Sequence, residues 1–164
     1  MKTLILVRHA KSSWKHPGLP DRLRPLNKRG QHDAPAMGER LAKREIAPDL
    51  IISSPATRAM ATAEIIAQEI GHPEEEIRAD ERLYGASAFE LLEIIQELDA
   101  ALEHVMLIGH NPGLTDLAND LGCGIDNLPT CGVVEVRFEI DSWADIGDVD
   151  PACVDFDYPK KISR

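Results

Sequence analysis

Four side chains, far apart in the sequence, are of the types needed to handle a phosphoryl group: Arg8, His9, Arg58 and His110. A guanidinium presents a rigid fork of N–H donors that matches two oxygens of a tetrahedral oxyanion. A neutral imidazole is a competent nucleophile at physiological pH. With two of each around one cavity, one histidine could take the phosphoryl group. The other could donate to its oxygens while the arginines hold the charge in place. Water would then release phosphate. Because the arginines supply the positive charge, no metal and no cofactor are expected. Taken singly, each residue has an ordinary reading, a surface ion pair for an arginine or a satisfied structural histidine. The chemical reading depends on the four meeting.

The elements around these residues say how they would meet. Leu4-Ile5-Leu6-Val7 is a continuous apolar run, suited to a strand buried on both faces, and it changes abruptly to Arg8-His9. Leu50-Ile51-Ile52-Ser53 is a second such run. It leads through Ser54-Pro55 into a helix predicted over 57–70 and closed by Gly71, with Arg58 near the helix start, where anions bind. The run over 105–108 is a third strand, followed by the turn Gly109-His110-Asn111-Pro112-Gly113 and a helix over 114–121. In open α/β folds the carboxyl ends of the strands form the ligand crevice.

The rest of the chain fills in around these three units. Residues 11–25, with three prolines and a glycine, read as a long loop of the kind that often carries function. Asn27 can cap a helix over about 28–44 with Met37, Leu41 and Ile46 along its apolar side, and Pro35 is expected to delay or kink it. A short strand over 77–79 is followed by a helix capped by Ser87 and running to Leu98, with Leu91, Leu92, Ile95 and Leu98 inward. A fourth long strand is predicted over 133–140 and an edge strand over 153–158. This alternation predicts an α/β fold, a three-layer α/β/α sandwich on a mainly parallel central sheet. At 164 residues a single domain over 1–164 is expected.

Composition narrows the function classes. A formal charge of −10 opposes a nucleic-acid backbone, and an aromatic content of 4% leaves little for base stacking, so no nucleic-acid partner is expected. No stretch reaches membrane-spanning length, and the apolar run at the N-terminus is too short for a signal peptide. A cytoplasmic protein with no membrane partner is therefore expected. Cys123, Cys131 and Cys153 lack metal-ligand spacing and read as reduced thiols. His16, His32, His72 and His104 have no comparable context and read as surface or structural. Lys11 and Lys15 could add positive potential at the cleft mouth. Trp14 reads equally as a pocket wall or as core.

The segments LVRHAKSSW, SSPATRAMATAE and IGHNPG, in this order and each after a predicted strand, resemble the histidine phosphatase superfamily, with its phosphoglycerate mutase-like fold. The resemblance runs from Leu4 to about Phe138. The small size, RHAKSSW, the RPLNKRG segment at 24–30 and GHNPG look most like the branch of SixA-type phosphohistidine phosphatases. It implies His9 as the nucleophile, a phosphate pocket of Arg8, Arg58 and His110, a hydroxyl contact from Ser12, and a backbone N–H from Asn111. The family's Arg-His-Gly is Arg8-His9-Ala10 here, and the extra methyl is expected to narrow the pocket without abolishing phosphate binding. The segment Asp80 to Gly85 resembles the Glu-Arg-x-Tyr-Gly of the mutases, which makes Glu81 the candidate general acid. That role bears on substrate class. An ester leaves as a poor alkoxide and needs a placed acid, worth roughly 10²–10⁴-fold, whereas a P–N bond to imidazole is labile without one.

The expected function is therefore a metal-independent phosphatase acting through a phosphohistidine on His9, with phosphohistidine in proteins as its best-matched substrate. The alternatives are a phosphatase of small phosphate esters, such as sugar or nucleotide phosphates, and a non-catalytic phosphate-binding module. The partner is expected to be a phosphorylated protein or a small phosphorylated metabolite.

Overall fold

The structure is a computed structural model describing residues 1–161; the last three positions of the expected 1–164 unit lie outside the described residues. Six strands, β1 (Lys2–Arg8), β2 (Leu50–Ser53), β3 (Arg78–Ala79), β4 (His104–Gly109), β5 (Val133–Phe138) and β6 (Cys153–Asp157), form one sheet. Their order is β3-β2-β4-β1-β5-β6. β1 to β4 are mutually parallel, β5 runs antiparallel to β1, and β6 antiparallel to β5. The sheet is thus mixed but mainly parallel, with β5 alone reversed among the described strands.

β1 is central because it is apolar on both sides. Leu4 and Leu6 face a core shared with α3 (Ala88–Gln96) and α4 (Gly113–Asp120), while Ile5 and Val7 face a second core shared with α1 (Lys28–Lys43) and α2 (Thr57–Ile70). These two cores on opposite faces are the three-layer architecture expected from the alternation of elements. The described elements follow the sequence boundaries to within two residues, including the Ser87–Glu90 capping box that opens α3.

Three local expectations change. α1 does not start late but runs continuously from Lys28 through Pro35, opened by the Asn27 side chain, which accepts from the Gly30 N–H (2.9 Å). Pro35 withholds a donor from the Gln31 carbonyl, and Gln31 is exposed, so water can serve it instead. Residues 11–25 are not free loop: the stretch contains a 3-10 turn, Asp21–Leu23, and is laced to the following segment by a Ser12–Leu26 bridge. Finally, the Ala10 methyl points into the α1/α2 core with 0% exposure and takes no part in the pocket described below, so it narrows nothing there.

Candidate active site

Strand register brings the chemistry together. Arg8 pairs with Gly109 across β1 and β4, and the His9 N–H donates to the Gly109 carbonyl (3.1 Å). His9 and His110 are therefore the first residues beyond two adjacent parallel strands, and their ring centroids lie 5.1 Å apart. Ser53 pairs with Ile108 on the other side of β4, so β2 ends at the same edge and delivers the first turn of α2 with Arg58. The result is a cavity of about 200 Å³ lined by Arg8, His9, Ser12, Arg58, His110 and Asn111, together with Lys11, Trp14, Arg24 and Thr130.

The backbone that carries His9 is tied on three sides. The Ala10 N–H donates to the Thr62 hydroxyl (2.9 Å), which itself donates to the Arg58 carbonyl (2.8 Å). One residue, Thr62, thereby links the nucleophile candidate to the helix that carries Arg58. From the β5 side, the Cys131 N–H donates to the Arg8 and His9 carbonyls (3.0 and 3.1 Å). Cys131 takes φ +58°, a left-handed conformation uncommon for a side-chain-bearing residue, and is fully buried.

Hydrogen bonding assigns the state of each imidazole. His9 Nδ1 lies 2.7 Å from the Ala10 carbonyl oxygen, which can only accept, so Nδ1 carries the proton and Nε2 keeps its lone pair. His110 Nε2 lies 2.7 Å from Ser54 Oγ, which also accepts from the Ala56 N–H (3.3 Å). The hydroxyl proton is best used on Nε2, which leaves His110 Nδ1 as a donor. Burial pushes the His9 imidazolium down to about 3, with the charges of His110, Arg58 and Arg8 acting in the same direction. Burial and the Arg58 charge bring His110 down to about 4. Both rings are neutral at physiological pH.

Three buried donors around this cavity, Arg8 Nε, Arg58 Nε and His110 Nδ1, have no protein partner. Buried N–H groups are nearly always satisfied. Three orphans around one cavity beside four cationic side chains are what a tetrahedral oxyanion would satisfy. Among the described residues, no group of three or more His, Cys, Asp or Glu side chains is placed to hold a metal ion.

The expected residues Arg8, His9, Ser12, Arg58, His110 and Asn111 all line the cavity. Asn111 does so with its side chain already engaged: Nδ2 donates to Asn127 Oδ1 and the Leu128 carbonyl, and Oδ1 accepts from Thr115. Arg8 Nη1 donates to the same Leu128 carbonyl (3.2 Å), so this turn fixes the arginine as well. Glu81 is not on the cavity wall. Its carboxylate pairs with Arg22, its side chain is 71% exposed, and it is linked to His110 through Arg22 over the Tyr84 ring and Tyr84 edge-on to His110. Trp14 is wall and not core, being 76% exposed at the cavity.

Asp21 is the residue that sequence reasoning missed. Its Oδ2 accepts from Arg58 Nη2 (3.0 Å) and the Tyr84 hydroxyl (2.6 Å), its Oδ1 from Arg24 Nε (3.1 Å), and its carbonyl from Arg58 Nη1 (2.7 Å). The Tyr84 hydroxyl first, then Arg58 and Arg24, hold its carboxyl far below the usual carboxylate range. Nothing in a lone Asp between two prolines signals this. Two of its partners, Arg58 and Tyr84, lie 37 and 63 residues away, and only the fold makes them neighbours.

Comparison with known proteins gives a consistent picture. The sequence model of the Histidine phosphatase superfamily (branch 1) matches residues 4–105. An uncharacterized chloroplastic protein of Arabidopsis thaliana is 33% identical over 150 residues, covering 87% of this chain and 69% of that one. The fold superposes on SixA of Agrobacterium tumefaciens with a TM-score of 0.75 at 30% identity, covering 82% of this chain and 90% of that one. It also matches the protein histidine phosphatase SixA in complex with tungstate, with a TM-score of 0.77 at 19% identity over 95% and 94% of the two chains.

Proposed function

This chain belongs to the histidine phosphatase superfamily, and from that premise we propose that it is a metal-independent phosphatase that passes the phosphoryl group through His9 and whose best-matched substrate is phosphohistidine on a protein. The observation that carries the reading is the pair of rings 5.1 Å apart, one with a free Nε2 lone pair and the other with an unpartnered Nδ1–H. The His9 Nε2 lone pair attacks phosphorus as the bond from phosphorus to the leaving atom breaks. The phosphoryl oxygens are held by the Arg8 and Arg58 guanidiniums, by His110 Nδ1–H, and by the Ser12 hydroxyl and Asn111 backbone N–H. Water then attacks phosphorus, the P–Nε2 electrons return to His9, whose Nδ1 keeps its proton, and phosphate leaves carrying both of the water's protons as dihydrogen phosphate, which equilibrates with solvent.

Support for a P–N substrate comes from the wall itself. No carboxylate lines the cavity among the described residues, and Glu81 is held outside by Arg22. An alkoxide leaving group would lack its acid there. An imidazole protonated by water on its other nitrogen leaves as a neutral ring and needs none. Likeness to SixA of Agrobacterium tumefaciens points the same way.

The test is turnover of a phosphohistidine-bearing protein, p-nitrophenyl phosphate and a panel of metabolite phosphates, all with chelator present. The expected result is fastest release from phosphohistidine, none in His9→Ala, and a protein-bound phosphate that survives alkali and is lost in acid. Undiminished turnover in His9→Ala, or an absolute need for added metal, would overturn the reading. Efficient ester hydrolysis lost in Glu81→Gln would move the substrate class to esters. Phosphate binding with no turnover of any substrate would make the protein a binding module.

A further inference from the structure

Beside the anion pocket stands an aromatic side chain that the chemistry above does not use. Trp14 lines the cavity and is 76% exposed, whereas Trp143 is fully buried in the core. Exposure of an indole this large costs hydrophobic free energy that burial would recover. This indole is nevertheless not loose. The Arg24 guanidinium carbon sits 3.6 Å from the ring centroid, covering one face. Arg24 is itself only 8% exposed and is fixed by Asp21 Oδ1 (3.1 Å) and the Ser13 carbonyl (3.2 Å). The backbone before it is pinned by the Ser13 N–H to the Pro25 carbonyl (2.8 Å) and by the Ser12–Leu26 bridge, and after it the Lys15 N–H donates to Ser13 Oγ (3.1 Å). One face of Trp14 is thus backed by a buried cation, the other is open, and the indole is contiguous with the phosphate site. A planar group stacking there would lose little side-chain freedom to the protein.

We propose that the open face of Trp14 is a leaving-group subsite, taking a planar aromatic ring attached to the phosphoryl group, above all the imidazole of a phosphohistidine. The proposal rests on the phosphatase reading and sharpens it: the arginine-backed indole selects the leaving group and the pocket behind it takes the phosphoryl group. A flexible aliphatic leaving group gains nothing from the platform.

The experiment uses phosphonates, whose P–C bond resists hydrolysis, so that binding is read apart from turnover. Dissociation constants for phenylphosphonate and methylphosphonate are measured by calorimetry on the full chain, its Trp14→Ala variant and its Trp14→Phe variant. A stack of this kind predicts that the wild type prefers the aryl ligand by about fivefold to tenfold, that Trp14→Ala brings the ratio near one, and that Trp14→Phe restores most of it. A ratio unchanged in Trp14→Ala, or lost equally in Trp14→Phe, would overturn the subsite. Methylphosphonate binding without an aryl preference in the wild type would overturn the subsite and leave the phosphate pocket standing. Failure of both ligands to bind would overturn the phosphate pocket and the subsite with it.

Discussion

Protonation of the two cavity imidazoles should make this protein lose stability in mild acid, well above the range in which carboxylates act. His9 titrates at about 3 in the folded chain and His110 at about 4, against 6.5 for an unperturbed histidine. Burial is the main cause for both. The sign follows from linkage: between 6.5 and these lowered values the unfolded chain binds protons that the folded chain refuses. Their stabilising contribution is complete above pH 6.5 and is lost as pH falls toward 3–4. Each pH unit below 6.5 costs about 1.4 kcal/mol per ring, so at pH 5 each ring has cost about 2 kcal/mol and the pair about 4 kcal/mol. For a domain of ordinary stability, about 5–15 kcal/mol, that is a large fraction. Asp21, Asp49, Asp80 and Glu90 also titrate below their ordinary values, but their contributions are lost only below about pH 4. Glu64, raised by burial, works weakly in the opposite sense. The assay is urea unfolding at pH 7.5, 6 and 5 in phosphate-free buffer, on the wild type and on a His9→Gln, His110→Gln double variant. The expected outcome is a fall of about 4 kcal/mol in the wild type and a change under about 1 kcal/mol in the double variant. A flat wild-type profile, or an equal slope in the double variant, would refute the view that these rings are buried neutral.

Three further outcomes follow from named contacts. Asp21→Ala should raise KM for phosphorylated substrates about tenfold with a smaller fall in kcat, because Arg58 Nη2 loses its carboxylate partner while Nη1 keeps only the backbone carbonyl; Asp21→Asn, which keeps an acceptor, should recover part of it, and steady-state kinetics on the three proteins decide. Thr62→Val leaves the buried Ala10 N–H without its acceptor and should cost about 1–3 kcal/mol in urea unfolding together with a fall in kcat; unchanged kcat would mean that this tie does not position His9. Gly30→Ala would set a Cβ 2.2 Å from the Lys11 carbonyl oxygen, which is backbone and cannot swing away. A loss of about 2 kcal/mol or more is expected as a lowered melting temperature, and a melting temperature within a degree of wild type would refute that close packing.

Local chemistry in the chain was enough to predict most of this architecture. Leu4 to Val7 has no polar residue on either side of the strand, so it can only lie between two cores, and the same holds for 50–52 and 105–108. Strands of that kind, alternating with capped helices, leave little choice but an α/β sandwich. Once the strands are parallel, Arg8, His9 and His110 at their carboxyl ends, and Arg58 in the following helix turn, must share an edge. What the sequence could not determine is how each side chain is held there. The pairing of Arg8 with Gly109 sets the imidazoles side by side, the left-handed Cys131 donates beneath them, and neither follows from neighbours in the chain. Asp21 became the partner of Arg58, and Arg22 meets Glu81 outside the cavity, because the 11–25 segment folds back over the first turn of α2. Hydrogen bonds between residues tens of positions apart depend on tertiary placement to a fraction of an ångström, and such distances are set by the packing of the whole sheet and its two helical layers.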